Sequence, residues 1–184
     1  MKKINFNSPV VLGFAVISLG ALIASYLTAG RSNILLFSVY KGSFRDPLFY
    51  LRLFTHVFGH ASIDHYCNNM ILLLLVGPLL EEKYGSGRIA GVMAAVALIT
   101  GIVHILLPGN SALLGASGIV FAFILLSSVT GSGRGIPVTT IVVAAIYITQ
   151  QVIQGMNMTD NISQLTHIIG GTIGAVYGLT LKKK

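Results

Sequence analysis

Six long apolar runs constrain this chain more than any other feature. They occupy Val10–Ala29, Tyr66–Leu80, Ile89–Leu107, Ala112–Thr130, Pro137–Ile153 and Leu165–Leu181. A helix needs about 20 mainly apolar residues to cross a hydrocarbon core ~30 Å thick, and most of the runs have that length. The second is short in its purely apolar part, because His65, Asn68 and Asn69 crowd its start; counting them restores the length. Turn chemistry separates the runs: Gly85-Ser86-Gly87, Pro108-Gly109-Asn110 and Gly131-Ser132-Gly133-Arg134-Gly135. Of the 184 residues 54% are hydrophobic and 9% are charged, against about 25% charged in soluble domains. Such a chain cannot cover a water-facing surface, and it is too apolar for disorder. The pattern predicts an all-α polytopic membrane protein: a single domain over 1–184 with six transmembrane helices and a long outer loop over 30–64.

Lys2-Lys3 ahead of the first run resembles the start of a secretory signal peptide. The run is longer than the roughly 7–15 apolar residues of such signals, so a retained first helix is expected. The lone cysteine, Cys67, allows no intrachain disulfide. With the N-terminus inside, eight of the twelve basic residues fall inside: Lys2, Lys3, Lys83, Arg88, Arg134 and Lys182 to Lys184. Arg31, Lys41, Arg45 and Arg52 fall outside, all in the long loop. Basic residues favour the cytoplasmic side, so both termini are expected there, in an integral membrane protein. The net charge of +7 therefore reads as a topology code. No basic stripe interleaved with aromatics appears, so no nucleic-acid partner is expected and the lipid bilayer is the surrounding medium.

Polar side chains at membrane depth are costly and mark functional sites by default. The second span begins with His65, Asn68 and Asn69, the fourth with Gly115-Ala116-Ser117-Gly118, and the sixth with His167. All three spans run from outside to inside, so the three groups share one level near the outer face. His65 and Asn69 lie four apart and share a helix face. His167, Gly170, Gly171, Gly174 and Gly178 fall within a stripe about 100° wide, which lets a neighbouring helix approach closely. If that neighbour is the fourth span, His167 meets Ser117. Each group also has a plain structural reading. Ser117 could belong to a small-residue packing patch, with its hydroxyl bonded back to the preceding turn. His167 could cap or bridge helices, His65 and Asn69 could clasp the long loop, and the glycines pack whatever the function.

A serine and a histidine on adjacent helices can act as nucleophile and general base. Ser117 opens a helix, so nearby backbone N–H groups are free to stabilise an oxyanion, with help from Asn69 and His65. No aspartate is placed to orient His167, and Asp160 reads as a solvated loop residue, so the pair is a dyad. Two other intramembrane chemistries fit poorly. No His-Glu-x-x-His run exists for zinc, and His56, His60 and His65 have only Asp64 and Cys67 near them as further ligands, so no metal is expected. No two carboxylates share a span for an aspartyl mechanism. Hydrolysis by the dyad calls for no cofactor. His56 and His60 are expected to bond within the outer loop and His104 to bridge helices.

These residues resemble those of the rhomboid intramembrane serine proteases, in their minimal six-helix bacterial form, over nearly the whole chain. The resemblance rests on Arg52-Leu53-Phe54-Thr55-His56, His60, His65-x-x-x-Asn69, Glu81 with Gly85-Ser86-Gly87, Gly115-Ala116-Ser117-Gly118, and His167-x-x-Gly170-x-x-x-Gly174. It implies Ser117 as nucleophile and His167 as base. It implies an oxyanion hole of His65, Asn69 and the Ser117 N–H, an open surround at Gly115 and Gly118, and helix contact at Gly170 and Gly174. It further implies a structured, partly embedded first loop carrying Arg52, and a gate formed by the fifth span and the loop Gln154–Gln164. The implied substrates are single-pass transmembrane proteins cut near the outer face of a bacterial cytoplasmic membrane. Two positions depart from the family. Leu51 precedes Arg52 where the family often has tryptophan, which predicts looser anchoring of the loop. Phe121 stands where a tyrosine often stacks on the catalytic histidine, which keeps the ring and loses the hydroxyl. The competing class is a non-catalytic membrane binding protein, either a rhomboid-like scaffold or a small transporter. A transporter would carry internal repeats, and residues 1–90 and 91–184 show none.

Overall fold

The structure, a computed structural model, describes residues 7–129, 138–139, 141–146, 149 and 162–180. Among these residues the elements are helical, joined by one isolated backbone bridge between Val39 and Leu113. In chain order they are α1 (Pro9–Leu27), α2 (Arg31–Leu36), α3 (Pro47–Thr55), a 3₁₀ turn (His56–Phe58), α4 (Ile63–Tyr84), α5 (Ser86–Leu106), α6 (Ser117–Val129) and α7 (Ile162–Thr180). By length and composition α1, α4 and α5 can each cross a membrane. The fifth predicted span is helical where it is described, at 138–139, 141–146 and 149. The remainder of that span, the loop from Gln154 to Asn161 with Asp160, and Lys2, Lys3, Arg134 and Lys182 to Lys184 lie outside the described residues.

The ends of the helices follow from local chemistry. Pro9 stands in the first turn of α1, where a missing N–H costs nothing. The next two N–H groups, Val10 and Val11, donate to the Glu81 carboxylate at 3.0 and 2.9 Å. Glu81 also accepts from the Ser86 hydroxyl at 2.7 Å. One buried carboxylate thus caps α1 and ties it to the α4–α5 corner, where Gly85 turns the chain at φ +86°. Ser62 caps α4 by accepting from the His65 N–H at 3.1 Å, and Asp46 caps α3 by accepting from the Leu48 N–H at 2.9 Å. α4 consequently begins at Ile63, three residues before the predicted span.

The fourth predicted span begins at Ala112, but α6 begins only at Ser117. Leu113 exchanges both backbone hydrogen bonds with Val39 at 2.9 Å, and Gly115 adopts φ +125°. Apolar composition alone could not separate this extended approach from the helix that follows it.

Leu73 of α4, Val92 and Val96 of α5, and Ile119, Phe123 and Leu126 of α6 are fully buried. In a bilayer, burying such side chains against protein instead of lipid gains little hydrophobic energy, so close packing must hold the helices together. The most extensive interface joins α6 and α7. A Cβ on Gly170 would collide with the Gly118 backbone, and one on Gly174 with the Ala122 backbone. Gly178 continues the stripe against Val129 and Leu126.

The predicted outer loop is folded. Arg52, buried on α3, forms an ion pair with Asp46 at 2.8 Å and lies over the Tyr40 ring, 4.5 Å from its centroid. Leu51 points outward and takes no part, so the anchoring expected to be loose without tryptophan is supplied by Asp46 and Tyr40. Asn33 Nδ2 donates to the His60 carbonyl at 2.9 Å, and the Thr55 hydroxyl to that of Leu36. His60 bonds within the loop as expected, its Nδ1–H donating to the Phe58 carbonyl at 3.0 Å. His56 does not: its Nε2–H reaches the Ala97 carbonyl of α5 at 3.0 Å. His104, expected to bridge helices, instead donates to the Ser111 carbonyl at 2.9 Å and fastens the turn after its own helix.

Two predictions follow from this packing. Gly174→Val drives a branched side chain into the Ala122 backbone, and overpacking of this kind typically costs about 1–3 kcal/mol. A markedly lower unfolding midpoint in micelles is expected. Burial pushes the pKa of both His56 and His60 from 6.5 down to about 4. Both rings are neutral when folded and charge more readily when unfolded, so their support is complete above about pH 6.5 and is lost as pH falls toward about 4. Thermal unfolding followed across that window should show the midpoint dropping, with a flatter slope in His56→Gln.

Candidate active site

Ser117 is the first residue of α6. The first intrahelical bond runs from the Val120 N–H to the Ala116 carbonyl at 3.0 Å. The N–H groups of Ser117 and Gly118 therefore have no partner within the helix. The Gly115 N–H donates to the His56 carbonyl at 2.9 Å and fixes the approach to Ser117. His167 lies in the second turn of α7, on the face that Gly170 and Gly174 press against α6. The glycine contacts bring Ser117 Oγ within 2.6 Å of His167 Nε2, across fifty residues of sequence. With the hydroxyl donating, Nε2 is the proton acceptor that a general base requires. The Phe121 ring, one turn along α6, meets the His167 ring at 5.1 Å between centroids and a tilt of 50°.

His65 and Asn69 stand one turn apart on α4, and both border Gly115. A Cβ on Gly115 would lie 2.8 Å from His65 Nε2 and 3.9 Å from Asn69 Nδ2. The Ala61 N–H donates to His65 Nδ1 at 3.4 Å. That assigns the neutral ring's proton to Nε2, the nitrogen facing the Gly115 loop. Asn69 Nδ2 is buried with no acceptor in reach among the described residues. Two side-chain donors and the opening N–H groups of α6 are thus gathered around the loop that carries Ser117. Behind Ser117, a cavity of about 10 Å³ is bordered by His56, Thr100, Gly118 and Thr166. That is near the size needed to admit one water, ~10–15 Å³.

The structure brings Ser117, His167, His65, Asn69, Gly115, Gly118 and Phe121 together, with Gly170 and Gly174 behind them on the α6–α7 contact, whereas Asn68, grouped with His65 and Asn69 from sequence, is exposed on α4. Sequence reasoning missed Thr100 and Thr166, both buried. Their signal was available, since each is a hydroxyl inside an apolar run. It also missed that His56 supports the loop through its carbonyl, a role that no side-chain pattern reports. Among the described residues no group of three or more His, Cys, Asp or Glu is arranged to hold a metal ion.

A family model for the Rhomboid domain matches residues 48–184, which include every residue of this site. The chain belongs to the rhomboid family. Rhomboid-related protein 1 of Caenorhabditis elegans is 28% identical over 137 residues, 69% of this chain and 38% of that protein. Human Rhomboid-related protein 3 is 35% identical over 74 residues, 40% of this chain and 18% of that protein. Rhomboid protease GlpG of Salmonella choleraesuis is 34% identical over 71 residues, 39% of this chain and 25% of that protein. The chain thus spans well under half the length of these curated relatives. Family membership and the three long apolar helices make it an integral membrane protein. The α1 and α2 helices precede the matched region, and Glu81 within it caps α1.

Gly115→Ala tests the geometry of the rhomboid site directly. A side chain at φ +125° is strained by about 1–3 kcal/mol, and here it also meets the His65 ring. A lower unfolding midpoint and displacement of His65 from the loop are expected, read by thermal melting and by the shift of the His65 ring resonances.

Proposed function

We propose that this rhomboid is an intramembrane serine endopeptidase that cuts transmembrane segments of single-pass membrane proteins. The observation that carries the proposal is the 2.6 Å contact between Ser117 Oγ and His167 Nε2. His167 takes the hydroxyl proton as Ser117 attacks the scissile carbonyl, then delivers it to the leaving amine. His65, Asn69 and the Ser117 N–H receive the oxyanion as charge develops on it. Water then attacks the acyl-enzyme, with His167 again as base. A Ser–His pair suffices for this sequence, with no metal or cofactor step.

Support for a protease also comes from the relative named Rhomboid protease GlpG. The six-span bundle, cytoplasmic termini, a site opening to the outer face and a bacterial cytoplasmic membrane belong to the same proposal. The six spans rest on the apolar runs, and the cytoplasmic termini on the distribution of basic residues. The outward opening rests on the polar groups at the starts of three runs, and the bacterial membrane on the resemblance to the minimal bacterial form. Lateral entry of substrate past the fifth span and the following loop completes it.

Ser117→Ala and His167→Ala should each abolish cleavage of a reconstituted transmembrane substrate while leaving the unfolding midpoint close to that of the parent. Asn69→Ala should lower the rate by ~10²–10³, the usual loss for one oxyanion donor. Reaction with a serine-directed fluorophosphonate should label the parent and spare Ser117→Ala. Equal labelling of the two would return the chain to the scaffold reading.

A further inference from the structure

A second cavity lies away from Ser117, between α1, the α3–3₁₀ segment and α5. Its volume is about 390 Å³, and every described residue lining it is apolar or glycine. It exists because small residues face each other across it. A Cβ on Gly13 of α1 would meet nothing within 4 Å, and Ala94 and Ala97 of α5 face the same space. Its rim is open, with Ile17 54% and Phe54 44% exposed. α1 and α5 are both long and apolar enough to span a bilayer, so the opening between them faces hydrocarbon. Water gains nothing in such a space, since it offers no hydrogen-bond partners. A helix is a poor fit too. Helices associate in membranes through continuous small-residue faces or polar contacts, whereas this wall comes from three segments and is broken by Ile17, Phe54 and Met93. A narrow, flexible, apolar chain suits the hollow, and its volume is within the range of small-molecule pockets, roughly 300–1,000 Å³.

We propose that this cleft is a binding site for one acyl chain of a membrane phospholipid, and that the lodged chain braces the loop before Ser117. The connection is short. Val57 forms a wall of both the cleft and the small cavity behind Ser117. Ala97, on the opposite wall of the cleft, accepts the His56 Nε2–H at 3.0 Å, and the His56 carbonyl holds the Gly115 N–H at 2.9 Å. A chain between α1 and α5 therefore supports Val57, His56 and Gly115 in sequence, without touching the serine–histidine pair.

The test uses the full chain in dioleoylphosphatidylcholine vesicles doped with a phosphatidylcholine carrying a diazirine near the end of one acyl chain. Photolysis releases nitrogen, and the carbene inserts into the nearest bond. Peptide mapping should find the label at Phe54 and Met93 several-fold above the open α1 face at Ile23 and Leu27, which are 50% and 83% exposed. Gly13→Leu, or Ala94→Leu should Gly13→Leu fail to fold, fills the hollow. Either should reduce cleft labelling several-fold and leave Ile23 and Leu27 unchanged. In micelles, added dioleoylphosphatidylcholine should raise the unfolding midpoint of the parent and move that of the filled variant much less. Cleft labelling no higher than at Ile23 and Leu27, or equal in parent and filled variant, would overturn the proposal. So would equal lipid-induced shifts in the midpoint. None of these readouts depends on proteolysis, so they stand apart from any failure of the protease reading.

Discussion

The backbone contact between α6 and α7 is the constraint on which the rest depends. Lipid is as apolar as leucine, so no hydrophobic force drives these helices together, and dispersion at short range must do so. Gly170 and Gly174 allow that range by presenting no Cβ to the Gly118 and Ala122 backbones. The consequence is positional. A helix is a stiff rod with a fixed rise, so fixing it at two points one turn apart also fixes the turn before them. His167 is three residues ahead of Gly170 and Ser117 one ahead of Gly118. The distance between their side chains is set by glycines that carry no chemistry themselves.

The nucleophile's half of the site is held differently. Ser117 follows an extended stretch with no helical bonds of its own, and such a segment would wander unless tied elsewhere. Leu113 is tied to Val39 and Gly115 to His56 of the α1–α4 connection, while His65 of α4 stands beside Gly115 and His104 of α5 holds Ser111. That connection is in turn stiffened by Arg52 with Asp46, by Asn33 with the His60 carbonyl, and by His56 with α5. Residues 30–64 thus act as a frame for the loop that α6 grows from. This explains how so much folded structure can lie between two spanning helices that a short turn could have joined.

The sequence made the spans and the polar residues legible because both are local in kind. Apolar run length reports a spanning helix directly, and a histidine or asparagine in such a run stands out by its cost. The convergence of Ser117, His167, His65 and Asn69 could be read because each stands near the start of an apolar run. Other features were illegible because their partners are distant and are often backbone atoms. Glu81 bonds to N–H groups about seventy residues earlier, and no side-chain pattern announces a backbone donor. The delayed start of α6 depends on Val39 pairing with Leu113. The placement of His56 depends on a carbonyl of α5. The bond of His104 to its own turn, instead of a neighbouring helix, follows from where the chain bends after Leu106.

Several of the buried polar side chains are tied to a distant segment by at least one bond. Glu81 receives three hydrogen bonds, and Arg52 has Asp46 and the Tyr40 ring. Asn33, His56 and His104 each donate to a carbonyl. These groups offset the cost of leaving water by internal bonding and hold segments together. The Asn69 amide nitrogen, like the Ser18 hydroxyl on α1, is buried with no partner among the described residues. An unmade bond to a buried amide costs about 1–3 kcal/mol. A neutral apolar side chain would avoid that cost if packing were the sole requirement. Asn69 borders Gly115 together with the donor edge of His65, two residues before Ser117. A donor kept unpaired at that spot is suited to an oxygen that arrives and gains charge during reaction. That is the arrangement electrostatic preorganisation calls for in the proposed reaction.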